Sequence, residues 1–165
     1  MKEVYPGLYV GNEKDYYKMK EHPEFSFVLA AKNPFHKNIV GYEGKSCDKS
    51  HPEYLIARRK DMIVLNMVDA PSSLFFSKVM IDEALNFIDE ELHECRCVMI
   101  VCNRGESRSA SIALLYLIQH GVLKGETLED CEVEFLRLYP EYNPGKGIRG
   151  FVKEHFEEYQ SIKIF

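Results

Sequence analysis

Apolar residues along the chain fall into short runs and longer stripes, and the two spacings predict different elements. Leu8-Tyr9-Val10-Gly11 predicts a short strand, and Asn12 is placed to cap a helix over Glu13 to Glu21. Phe25-Ser26-Phe27-Val28-Leu29-Ala30 is mostly apolar, as expected of a strand inside a sheet. From Asn33 to Glu53 the pattern loosens around Gly41, Gly44, Ser46, Asp48, Ser50 and Pro52, predicting an excursion with one helical turn near His36 to Val40. Tyr54 to Arg58 and Met62 to Asn66 predict two short strands, and Met67 to Ser73 a loop. From Phe75 to Leu92 the residues Phe76, Val79, Met80, Leu85, Ile88 and Leu92 recur at helical spacing, which predicts a helix packed on the core. Val98-Met99-Ile100-Val101 is an unbroken apolar run, typical of a strand buried on both faces. Three more helices are predicted: Ser109 to His120, ended by Gly121; from Thr127, with Asp130 in capping-box position, to Pro140; and about Ile148 to Tyr159. Strands and helices mixed in this way predict an α/β sandwich around a central sheet.

Composition narrows the reading. The 165 residues, 45% hydrophobic and 28% charged, suit one globular domain over 1–165. A net charge of −5 argues against a nucleic-acid partner, which favours a basic face. The opening residues Met1 to Pro6 carry no apolar signal core, and no apolar run approaches membrane-spanning length, so a cytoplasmic protein without a membrane partner is expected. Five cysteines, an odd number, are then expected as reduced thiols. Cys95-Arg96-Cys97 lacks Cys-x-x-Cys spacing. His93 is near, but no second ligand pair follows at zinc-site spacing, so no metal is expected. Alternation along a strand would point Cys95 and Cys97 the same way. His36, His51 and His93 lie in polar stretches and are expected at the surface, as is Arg58-Arg59-Lys60 at a strand end.

The chemistry concentrates in Cys102-Asn103-Arg104-Gly105-Glu106-Ser107-Arg108-Ser109. A cysteine with an arginine six positions later arises by chance in roughly one such sequence in five. Requiring Gly105 and Ser109 as well lowers that to about one in a thousand. A buried strand before the loop and an apolar helix after it turn successive backbone N–H groups inward, forming an anion site. Gly105 lets the backbone curl without a clashing Cβ. Arg108 offers a planar fork to two phosphate oxygens. The same positive field favours a nucleophilic thiolate at Cys102, and the Ser109 hydroxyl is placed to stabilise that sulfur as a leaving group. An alkoxide or phenoxide departing from phosphorus needs a proton. Asp69, on the loop after an apolar strand and 33 residues before Cys102, is the candidate general acid.

Leu8-Tyr9-Val10-Gly11-Asn12, Asp69 followed by Phe75-Phe76, and the Cys102–Ser109 loop together resemble the dual-specificity phosphatase branch of the protein tyrosine phosphatase superfamily. The resemblance runs in order over most of the chain and is weakest from Leu29 to about Glu53. It implies an α/β fold with a central mixed, mostly parallel sheet flanked by helices on both faces. It also implies no cofactor, a phosphorylated protein as substrate, and a two-step phosphocysteine mechanism. On that resemblance Cys102 is the nucleophile, Arg108 the phosphate clamp, Ser109 the leaving-group helper and Asp69 the general acid. Substrate phosphate would sit on the amides of Asn103, Arg104, Gly105, Glu106, Ser107 and Arg108.

The chain departs from that pattern in three places. Val101 stands where the family has a histidine that orients the loop, which predicts a slower enzyme. Glu106 puts a carboxylate in an anion-binding loop, where it is expected to point outward, offset by Arg104. Tyr142-Asn143-Pro144 reverses the usual proline–asparagine order. Two other functions therefore stand beside protein phosphatase: a phosphate-recognition module without turnover, and an RNA 5′-phosphatase or phosphoinositide phosphatase.

Overall fold

Residues 1–161 are described by the computed structural model. They form β1 (Lys2–Tyr5), β2 (Leu8–Gly11), α1 (Glu13–Met19), β3 (Phe25–Leu29), α2 (Lys37–Val40), β4 (Ile56–Arg59) and β5 (Met62–Leu65). Then follow α3 (Lys78–His93), β6 (Cys97–Val101), α4 (Arg108–Gln119), α5 (Leu128–Leu138) and α6 (Lys146–Ser161). One six-stranded sheet has the order β1-β2-β6-β3-β5-β4. Strands β2, β6, β3 and β5 run parallel, while β1 and β4 pair antiparallel at the two edges. The sheet is thus mixed and mostly parallel, as the resemblance implied.

Period-two alternation sorts the interior into two layers. In β6, Val98 and Ile100 join one cluster with side chains of α3, α4, α5 and α6; Met99 and Val101 join the other, with Tyr16 of α1. In β3, Val28 faces the first cluster, and Phe25, Phe27 and Leu29 face the second. Both faces are therefore apolar and both are covered by helices, which is why these central strands read as unbroken apolar runs. Asn12 and Thr127 close capping boxes with Asp15 and Asp130 at the starts of α1 and α5. No helix among the described residues is long and apolar enough to cross a membrane.

Several local expectations are corrected. Strand β1 was not predicted: its first two residues are exposed, and only its pairing with β2 defines it. Helix α3 begins three residues late because the Ser77 side chain accepts from the Met80 N–H and fixes the start there. Phe75 instead ends a short turn over Ser73–Phe75 and is 68% exposed, and Val79 lies on the outer face of α3. Cys95 adopts a positive φ before β6 begins, so strand alternation does not relate it to Cys97.

His36 was expected at the surface but is fully buried. Its Nε2 lies 2.8 Å from the Glu53 carbonyl oxygen, which can only accept, so that nitrogen carries the proton. Neutral Nδ1 then accepts from the Tyr42 hydroxyl at 3.0 Å. The ring staples the ends of the 36–53 excursion, a long-range role that the local polarity of the segment conceals. Burial pushes the His36 pKa below its ordinary value of 6.5. Below pH 6.5 the unfolded chain therefore takes up a proton that the folded chain refuses, and stability falls as the pH drops from there toward the folded value. Urea-unfolding midpoints at pH 7.5 and 5.5 should show this loss, and His36→Gln should flatten it.

Candidate active site

Parallel pairing brings the carboxyl ends of three strands level, with Val101 of β6 opposite both Gly11 of β2 and Leu29 of β3. Residue 102 therefore emerges in the crevice beyond the sheet, where open α/β sheets bind ligands. The chain curls through residues 102–107 and enters α4 at Arg108. Gly105 has φ +74°, and a Cβ there would sit 2.9 Å from the Gly11 carbonyl oxygen. Any other residue would be both strained and crowded, so glycine lets the loop close against the end of β2.

Three carbonyls of the loop are held by donors from surrounding elements. The Asn103 oxygen accepts from the Glu13 N–H at 3.3 Å, and the Glu106 oxygen from the Asn143 N–H at 2.9 Å. The Gly105 oxygen accepts from the Tyr139 hydroxyl at 2.6 Å. Ser107 stands at the N-cap of α4, but its side chain makes no capping bond, so the first amides of the helix carry no side-chain cap. Such an end attracts an anion.

Cys102 is 2% exposed, and its sulfur lies 3.1 Å from the Ser109 oxygen. Arg108 is buried at 9% exposure. Its Nη1 donates to the Met67 carbonyl at 3.0 Å and its Nη2 to Asn103 Oδ1 at 2.7 Å. Its Nε is buried with no hydrogen-bond partner among the described residues. An unpaired buried N–H on a guanidinium that lines the cleft is a donor that a bound oxyanion would satisfy. Asn103 in turn donates from Nδ2 to Glu13 Oε2 at 3.1 Å and to the Asn33 carbonyl at 2.9 Å, which fixes the amide that steers Arg108.

Asp69 reaches the same cleft from the loop after β5. The Ser107 hydroxyl accepts from the Gly145 N–H at 2.8 Å and donates to Asp69 Oδ1 at 3.3 Å. A Cβ on Gly147 would overlap the Ala70 carbonyl oxygen, so glycine at the second residue of α6 lets the Asp69 loop lie against that helix. The cleft measures about 450 Å³ and is lined by Asp69, Cys102, Asn103, Arg104, Glu106, Ser107, Arg108, Asn143, Pro144 and Gly145. Cys102, Arg108, Ser109 and Asp69 thus meet at one place. Glu106 is half-buried and lines both this cleft and a neighbouring one that it shares with Asn12, Asp15, Arg104, Tyr139 and Glu141. A larger cleft of about 560 Å³ lies at the other end of β6, beside Asp89, His93 and His120, and holds none of the predicted site residues.

Sequence reasoning used only the backbone of Asn103 and did not find Tyr139, the Met67 carbonyl or the Gly145 amide. Tyr139 reads locally as the end of a helix before Pro140, and its partner lies 34 residues away. No signal in the local pattern marks it. Burial, with the carboxylates of Glu141, Asp15 and Glu106 also nearby, pushes the Tyr139 hydroxyl above its ordinary range, so it stays protonated and donates.

No family model matches the chain, and no curated protein matches it by sequence. Solved structures do. The human tyrosine phosphatase-like serine/threonine/tyrosine-interacting protein superposes with a TM-score of 0.66 at 19% identity, covering 98% of each chain. Human DUSP28 gives 0.66 at 14% identity, over 98% of this chain and 99% of that one. DUSP15 gives 0.65 at 21% identity, over 98% and 91%. Sheet order, loop position and these superpositions lead to one structural conclusion: the chain has the fold of the dual-specificity phosphatases.

Proposed function

We propose that this chain is a cysteine-dependent protein phosphatase acting on phosphotyrosine, and on phosphoserine and phosphothreonine, through a phosphocysteine intermediate. The observation that carries the reading is the convergence on one cleft of a buried sulfur, a guanidinium with an unpaired Nε and a carboxylate from a separate loop. In the first step the Cys102 thiolate attacks phosphorus, and the bond from phosphorus to the ester oxygen breaks. That oxygen leaves with the proton of Asp69. In the second step water attacks the phosphocysteine, Asp69 takes its proton, and the P–S bond breaks to release orthophosphate. The departing sulfur regains the hydrogen bond of Ser109. The loop amides and Arg108 hold the equatorial oxygens through both transfers.

Purified protein should hydrolyse an aryl phosphate. Asp69→Asn should slow an ester with a poor leaving group by roughly 10²–10⁴-fold and an activated aryl ester far less, because only the former needs the proton. Equal rates for wild type and variant on both substrates would remove Asp69 from the acid role.

A second reading, phosphate recognition without turnover, is favoured by Glu106 in the cleft wall and by Val101 in place of the orienting histidine. One structural neighbour is itself called a phosphatase-like interacting protein. A phosphopeptide that binds and is never cleaved would decide for this reading. A panel of phosphotyrosine and phosphoserine peptides, phosphoinositides and 5′-triphosphorylated RNA separates the substrate classes.

A further inference from the structure

We infer that Tyr139 is a positioning residue of the phosphate loop, setting the Glu106 amide toward the bound oxyanion; the inference rests on the reading of this loop as an oxyanion cradle. In a trans peptide the C=O and the following N–H point in opposite directions. A donor that holds the Gly105 carbonyl from outside the loop therefore turns the Glu106 N–H to the other side. The Tyr139 hydroxyl is that donor, at 2.6 Å.

The Asn103 and Glu106 carbonyls are held in the same way, but by backbone N–H groups of Glu13 and Asn143. Only the middle one depends on a side chain. It is also the one most in need of an anchor, because a peptide next to glycine has no Cβ to resist a flip. Val101 is fully buried and brings no side-chain donor to the loop. The ring of Tyr139 is fixed beside Phe135, with centroids 6.1 Å apart, and its hydroxyl remains a donor because burial keeps it protonated.

The test uses Tyr139→Phe, which keeps the ring and deletes the donor, with Leu128→Ala as a control that loosens the buried far end of α5, away from Tyr139. Tungstate, a tetrahedral oxyanion, reports on the cradle without turnover. Tyr139→Phe should remain folded at the assay temperature by thermal unfolding, yet bind tungstate about tenfold more weakly. It should also lose roughly ten- to hundredfold in kcat, equally for activated and poor leaving groups, since the donor serves the transferring phosphoryl group and not the leaving oxygen. Leu128→Ala should lower the unfolding temperature and leave tungstate affinity at the wild-type value. Wild-type affinity in Tyr139→Phe, an equal loss in Leu128→Ala, or a wild type that binds no tungstate would each overturn the inference. A wild type that binds tungstate but never turns over, with Tyr139→Phe weakened, would sink the phosphatase reading and leave Tyr139 in place.

Discussion

Cys102→Ser should reduce turnover of an aryl phosphate by a factor on the order of 10⁵ or more, while the variant folds and still binds tungstate. Serine is close in size to cysteine, and position 102 is 2% exposed between the end of β6 and Ser109, so packing is nearly preserved. What changes is the nucleophile. The uncapped start of α4 and the Arg108 guanidinium cannot make an alkoxide from a serine hydroxyl near neutral pH. Binding through the amides and Arg108 does not depend on the sulfur, so tungstate affinity should stay within a few-fold of the wild type. Turnover at the wild-type rate would show that Cys102 is not the nucleophile.

Arg108→Lys should cost on the order of 10³-fold in kcat/KM, despite conserving the charge. The guanidinium satisfies the Met67 carbonyl and Asn103 Oδ1 while keeping Nε free for the ligand. A single ammonium on a flexible stem cannot span these directions at once. If it turns to the protein, the oxyanion loses its clamp. If it turns to the ligand, Met67 and Asn103 are left with unpaired acceptors, at about 1–3 kcal/mol of stability for a buried group. Lower tungstate affinity together with a lower unfolding temperature is therefore expected. A loss of less than tenfold in kcat/KM, with affinity intact, would mean that Arg108 is structural.

The fold was legible in the sequence wherever burial on both faces wrote itself into a run of apolar residues. Phe25 to Leu29 and Val98 to Val101 are such runs, and they are the two central strands. Caps were equally readable at Asn12 and Thr127, because a capping box is a local device. Edge strand β1 was not readable, since its partner supplies the only reason for it to be extended. The start of α3 was misread because Phe75 and Phe76 look alike in a pattern, while only Phe76 is buried.

The candidate site divides in the same way. Cys102, Gly105, Arg108 and Ser109 lie within one turn of chain, where spacing alone carries the chemistry. Asp69 was found through its place after an apolar strand and through the resemblance, and the cleft brings it within hydrogen-bond reach of Ser107. The groups that hold these residues in place are not local. Tyr139 reaches Gly105, and Asn103 reaches Glu13 and Asn33, across gaps that no periodicity encodes. His36 was misplaced for the same reason, because its partners Tyr42 and Glu53 come together only once the excursion has folded back on itself.

The most direct measurement is rapid quenching of the reaction with an aryl phosphate, followed by intact-protein and peptide mass analysis. One phosphoryl group per chain, found on Cys102 and absent from Cys102→Ser, is the expected result. Turnover with no phosphorylated cysteine at any time, or a phosphoryl group on another residue, would contradict it.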